Sequence, residues 1–325
     1  MRFYEATIDR DNWQQQVWQN RLHSLLLLAV MGGFLALLGN ILWGSGGMII
    51  LVAIGLLGML FNPGVSPLLV MRLYGAIPIG PRQLPGLWQT AQHLAERAAL
   101  PDTPQLYYLP TRMLNAFAVG DRQQAAIAIS DGLLRQLEPR ELAGVLAHEI
   151  SHIRSNDLWV MGLADLISRA TSLLSLLGQF MLLVSLPLLL VTDVGINWLA
   201  ILLLILAPTL SALAQLALSR TREYIADLNA VKLTGDPEGL ARALAKIERS
   251  HGRLWERVIM PGRQVPEPSL LRTHPDTSER IQRLRSLQSE FPQWPGLPLE
   301  SWNTHHSFGQ PVTRPPRWHI TGLWH

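Results

Sequence analysis

The sequence predicts a mainly α integral membrane protein, with four transmembrane helices in two hairpins and a cytoplasmic α+β domain carrying a small sheet. Three observations predict it. The 325 residues are 48% hydrophobic and only 16% charged, against roughly 25% charged in a typical soluble domain. Leu22 to Met71 contains no Asp, Glu, Lys or Arg, and Ala170 to Ser219 contains only Asp193. All 27 basic residues lie outside those two stretches.

Residues 1–21 are polar, carry Arg2, Arg10 and Arg21, and read as an N-terminal cytoplasmic segment. The 22–71 stretch follows. One spanning helix takes about 20 apolar residues, so its length fits two. The break falls at Gly44-Ser45-Gly46-Gly47, just after Trp43, a residue type favoured at membrane interfaces. The polar lead-in, the length of the run and the lack of a small-residue cleavage site argue against a removed signal peptide. The second hairpin, 170–218, reads as helices over 170–191 and 196–218 joined at Thr192-Asp193-Val194-Gly195. Basic residues number 3 in 1–21, 9 in 72–169 and 15 in 220–325, with none in the connecting turns. Such a bias puts both termini and every polar segment on the cytoplasmic side.

The segment 72–169 opens with an amphipathic helix over 82–100, where Leu84, Leu87, Trp88, Ala91, Leu94, Ala95 and Ala98 recur at helical spacing. Short β-prone runs follow at Leu106–Leu109, Ala116–Val119 and Ala125–Ile129, with Gly120-Asp121 at a turn. Pro139 suits the first position of a helix whose apolar face is Leu142, Val145, Leu146, Ile150 and Ile153. In 219–290 a helix continues through Ser219 into Val231, Asp236-Pro237 caps the next, and Asp276 with Glu279 resembles a capping box for a last helix to Leu287. Residues 291–325 are rich in Pro and Trp and show no periodicity.

His148-Glu149-Ile150-Ser151-His152 fits H-E-x-x-H. Residues four apart share a helix face, so both imidazoles can reach one metal, while Glu149 stands beside them as a base for water. Composition alone would yield about 0.01 such motifs in a chain of this kind. A catalytic zinc usually takes a third protein ligand and keeps one position open. Ser155 and Leu158 stand where one class of such enzymes carries Gly and His, and Arg140, Glu141 and Arg154 exclude burial of the motif in a membrane span. A Glu on a separate helix remains, and Glu223 suits it. Asp227 lies on the same face, four residues on, where it can accept the free ring N–H of a liganding His. Alone, Glu223 could pair with Arg220 or Arg222 on a solvated face; beside His148 and His152 the ligand role is favoured.

These motifs resemble those of the HtpX-type membrane zinc metallopeptidases, gluzincins related to the CAAX prenyl endopeptidases. The resemblance runs from about residue 22 to 287 and rests on Asn115-Ala116-Phe117-Ala118-Val119-Gly120, Ala147 to His152, Ser219 to Asp227, and Thr273-His274-Pro275, with membrane spans in the matching gaps. It implies a zincin-like domain that hydrolyses membrane or misfolded proteins at the cytoplasmic face of a bacterial inner membrane. It implies zinc (Zn2+) on His148, His152 and Glu223, with Glu149 as general base and Asp227 behind the ligands. It also implies that Asn115, Ala116, Phe117 and Ala118 pair with an extended substrate backbone. His274, matching a motif histidine, is the candidate donor to the carbonyl oxygen as it gains charge; capping of the loop before the last helix is the competing role.

Absent cysteine excludes disulfides, thiolate metal sites and cysteine nucleophiles, and a net charge of +3 without a dense basic run gives no nucleic-acid partner. The expected partners are protein or peptide substrates and the bilayer. A non-catalytic membrane scaffold and a prenyl-protein endopeptidase are the rival readings.

Overall fold

The computed structural model describes residues 10–60, 66–191, 197–258 and 277–287. They form two compact units. One contains 66–158, 222–258 and 277–287; the other contains 10–60, 159–191 and 197–221.

The first unit is built on a four-stranded mixed sheet in the order β1-β2-β4-β3. Its strands are β1 (Ile77–Pro78), β2 (Gln105–Leu109), β3 (Ala116–Gly120) and β4 (Ala125–Ser130). β4 lies parallel to β2 and antiparallel to β3, with Tyr107 opposite Ala128 on one side and Ala118 opposite Ile127 on the other. Alternation along β4 serves two cores at once. Ile127 and Ile129 enter the main cluster, while Ala126 and Ala128 face a smaller one with Met71, Leu109 and Phe117. Met71 comes from α2 (Pro67–Leu73), whose start Pro67 fits at the first helical turn. Gly120 turns the chain from β3 with φ +100°, a conformation that glycine adopts without steric cost.

The expected helix over 82–100 is α3 (Pro85–Arg97), with Leu87, Ala91, Leu94 and Ala95 buried. A short α4 (Asp131–Gln136), not foreseen, starts where Ser130 Oγ accepts the Leu133 N–H and Asp131 accepts the Tyr108 hydroxyl at 3.0 Å. The His motif lies on α5 (Pro139–Ser155), and Leu142, Leu146, Ile150 and Ile153 anchor that helix in the main core. Burying each such side chain stabilises the fold by about 1.5–3 kcal/mol. Across α5 runs α8 (Pro237–Val258); a Cβ on Gly144 would lie 3.0 Å from the Leu240 Cα, so the helices meet at backbone distance. Arg140 grips Asp236 through two bonds of 2.9 and 2.7 Å, and Asp236, as the Asp-Pro pair suggests, caps α8 by accepting the Gly239 N–H. The last described helix is α9 (Thr277–Ser286).

The second unit is helical. α1 (Arg10–Leu60) starts well before Leu22 and is broken at Gly44, where φ is 67° and ψ −162°. In a straight helix, residues eight apart are about 12 Å distant. Here a Cβ on Gly47 would lie 2.7 Å from the Gly39 carbonyl oxygen. The chain therefore doubles back at Gly44, on glycines that let the two arms touch. The other helices are α6 (Asp157–Val191) and α7 (Trp198–Thr234); residues 222–234 of α7 belong to the first unit. α6 begins thirteen residues before the expected span. Met31 and Leu35 of α1 pack with Leu163, Ala164 and Ile167 of α6 and Leu218 of α7. Leu25, Leu173, Phe180, Leu183, Trp198 and Leu202 face outward, an apolar surface that water would not support but lipid does. Among the described residues, three helices are long and apolar enough to cross a membrane: Leu22–Ala53, Asp157–Pro187 and Trp198–Thr234. Four spans were expected; the two arms of α1 on either side of Gly44 lie within one of these three helices.

Pro208 sits inside α7. It has no N–H for the Leu204 carbonyl four residues back, a costly omission away from water. Helix α6 makes good the loss: the Ser175 hydroxyl donates to that carbonyl, and the Gln179 amide donates to both the carbonyl and the hydroxyl. Pro208→Ala should restore the helical bond. Ser175→Ala should then cost about 1 kcal/mol in the native background and clearly less beside Pro208→Ala. Equilibrium unfolding in detergent measures both; equal costs would mean that the hydroxyl does not serve this carbonyl.

Candidate metal centre

Helix α5 buries one face in the core and turns His148 and His152, one turn apart, toward α7. The two Nε2 atoms lie 3.1 Å apart, with the rings edge-on at 88°. From α7 comes Glu223, with Oε2 at 3.3 Å from His148 Nε2 and Oε1 at 3.7 Å from His152 Nε2. One ligand atom from each of the three residues lies within 4.8 Å of the others. All three side chains are largely withdrawn from solvent.

Behind each imidazole stands an aspartate held by an arginine. Asp227, on the same face of α7 as Glu223, puts Oδ1 3.0 Å from His148 Nδ1. Arg280 of α9 forks onto Asp227 at 2.7 and 2.6 Å and sets a third nitrogen 3.0 Å from Glu223 Oε2. Asp157 accepts from His152 Nδ1 at 2.9 Å and from Arg222 at 2.9 Å. The turn that delivers Asp157 depends on Asn156, which closes α5 in the left-handed region at φ 53°. Asn tolerates that region better than most residues. Asp157, Arg222 and Arg280 were missed in the sequence; an Asn-Asp pair directly after the motif helix was the available signal for the first.

Of the expected site residues, the fold brings together His148, His152, Glu223 and Asp227. Glu149 is half-buried on α5, within the field of Arg280. Asn115 precedes the edge strand β3, which carries Ala116, Phe117 and Ala118 and lies against α5. Asn115 is tied to the end of β4: its N–H donates to Ser130 Oγ, and its carbonyl accepts the Ser130 N–H, both at 3.0 Å. His274 and the 291–325 tail lie outside the described residues.

The donor set suits a divalent cation. With an aspartate oxygen 3.0 Å from His148 Nδ1 and 2.9 Å from His152 Nδ1, protons on those nitrogens leave each neutral imidazole an Nε2 lone pair, and the two meet a carboxylate in one buried spot. Without a cation those lone pairs would repel at 3.1 Å, so a proton must serve instead. The electrostatics agree. Burial opposes charge on His148, but Asp227 and Glu223 outweigh it and lift its pKa from 6.5 to about 10. His152 is also raised, with Asp157 foremost against the same burial.

The model of peptidase family M48 matches residues 81–288. The "Protease HtpX homolog" of Acaryochloris marina is 35% identical over 299 residues, covering 86% of this chain and 97% of its own. That of Pyrococcus furiosus is 36% identical over 281 residues, covering 82% and 95%. Among solved structures, the crystal structure of S. mikatae Ste24p covers 83% of this chain and 66% of its own, at TM-score 0.41 and 20% identity. A family match over residues 81–288, relatives aligned nearly end to end, helices apolar enough to cross a membrane and a buried two-histidine, one-glutamate cluster agree on one identity: the chain belongs to peptidase family M48 and is an integral membrane metalloprotease.

Proposed function

We propose that this chain is a zinc endopeptidase of membrane-bound or misfolded proteins, working at the cytoplasmic face of a bacterial inner membrane. The cluster of His148, His152 and Glu223 carries the proposal. Two imidazoles and one carboxylate, with no cysteine in the chain, match the ligand chemistry of a catalytic zinc site that keeps an open position. Bound zinc would polarise the scissile carbonyl and acidify water. Glu149, beside His148 on α5, takes the proton of the attacking water and returns it to the leaving amine. Asp157 holds the ring N–H of His152, and Asp227 lies 3.0 Å from His148 Nδ1, which favours the tautomer that ligation needs. His274 is the proposed donor to the carbonyl oxygen.

β3 is the end strand of its sheet, and an extended substrate added along Asn115–Ala118 would be held by backbone bonds largely independent of its side chains. Such recognition suits a protease of unfolded segments. A four-span topology is supported by the reversal of α1 at Gly44. Cytoplasmic orientation is supported by the confinement of all 27 basic residues to the polar segments.

Glu149→Gln should retain one zinc per chain and lose at least about a hundredfold in casein cleavage by the detergent-purified enzyme. Wild-type turnover in that variant would remove Glu149 from the mechanism. If the wild type holds zinc and cleaves neither casein nor a prenylated peptide, the scaffold reading gains.

Zinc and a proton compete for His148. With its metal-free pKa at about 10, the ring is protonated at neutral pH and must release that proton to bind. Apparent zinc affinity should therefore rise about tenfold per pH unit between pH 6 and 8. Folding of the metal-free chain carries the opposite sign: the raised pKa stabilises fully below about 6.5 and fades as pH climbs toward about 10. Competition with a chromophoric chelator across that pH range checks the first trend. A flat affinity would contradict it.

A further inference from the structure

Nothing in the proposed chemistry uses Arg280, yet it is among the most buried charges of the first unit, 3% exposed. We infer that Arg280 is a positioning residue of the metal centre: it locks Glu223 and Asp227 into their liganding and supporting orientations from the last described helix. The inference rests on the reading of His148, His152 and Glu223 as zinc ligands.

Glu223 and Asp227 are one turn apart on α7 and both approach His148, at 3.3 and 3.0 Å. Two carboxylates so close repel, and nothing in a helix prevents either from swinging away. Arg280 answers both. Its fork takes both oxygens of Asp227, whose Oδ1 lies 3.0 Å from His148 Nδ1, while its third nitrogen reaches Glu223. A planar guanidinium can hold two carboxylates in this way; a lysine ammonium cannot reproduce the fork. Charge balance points the same way. Glu223, Asp227 and Asp157 are met by Arg280 and Arg222, which leaves one net negative charge for the incoming cation rather than three. The remaining grips of α9 lie elsewhere. Arg283 covers the Tyr224 ring at 4.2 Å, and Leu284 is buried in the main core. Arg283 therefore docks α9 without touching the ligand cluster, which makes it the control.

The test is zinc affinity of the full-length chain in detergent, by chelator competition, with thermal unfolding of the metal-free forms beside it. Arg280→Met should weaken zinc binding by about 10- to 100-fold, the usual cost of losing an outer partner of a metal ligand. Arg280→Lys should recover only part of that loss, and Arg283→Met should stay within about twofold of the wild type. The inference is overturned if Arg280→Met binds zinc like the wild type, or if Arg283→Met weakens binding equally, since α9 docking alone would then account for the effect. Should Arg280→Met not fold, Arg280→Lys decides, and unchanged affinity there overturns it too. His148→Ala separates the two levels: zinc lost in His148→Ala but kept in Arg280→Met sinks only the role of Arg280. Zinc kept in both sinks the ligand assignment itself.

Discussion

Two ring nitrogens 3.1 Å apart, each with an aspartate oxygen within 3.0 Å of its partner nitrogen, impose the constraint from which the catalytic unit takes its form. Such a pair is stable only around a shared positive charge. Everything that fixes α5 against its neighbours also fixes that pair: the apolar face set into the main core, the backbone-close crossing with α8 at Gly144, and the grip of Arg140 on Asp236. A helix free to rotate by even part of a turn would part the imidazoles from Glu223. Rigidity here has the specific task of keeping three donors on one point.

Charge is handled differently in the two units. In the first, carboxylates are buried with arginines, Asp227 with Arg280 through two bonds and Asp157 with Arg222 through one, because an isolated buried charge would cost several kcal/mol. In the second, the spanning stretches carry almost no charge at all, and the polar problem moves to the backbone. Pro208 frees one carbonyl, and one serine and one glutamine of the neighbouring helix satisfy it. Glycines at 39 and 47 let the arms of α1 meet closely, as small residues do where helices pack in lipid.

Sequence alone reveals those features that depend on residues near one another in the chain. The four-residue spacing of His148 and His152, the same spacing of Glu223 and Asp227, the β-prone run that becomes β4 and the glycine break at 44 are all local patterns. The first hairpin shows the limit of such a pattern. The break lies at Gly44, where the glycine run puts it, but the helix that precedes it begins at Arg10, well before Leu22. β1 has two residues and no pattern of its own; its antiparallel pairing with Tyr107 and Tyr108 defines it. Leu204 and Ser175 meet across a helix pair, beyond any periodicity. Asp157 reaches His152 because Asn156 enters the left-handed region, a dihedral to which only the Asn-Asp pair itself points in the sequence.

Arg280 is the clearest of these long-range cases. It follows Asp227 by 53 residues and sits on a short helix with three cationic side chains, two of them outward. By sequence all three look like solvated charges. The core decides otherwise, because Leu284, one turn after Arg280, must be buried, and a helix that buries position 284 also turns position 280 inward. An inward arginine needs carboxylates, and α7 presents two. The apolar packing of a residue that touches nothing reactive thus delivers a charge to the carboxylates of the metal centre, and the last described helix helps to position them.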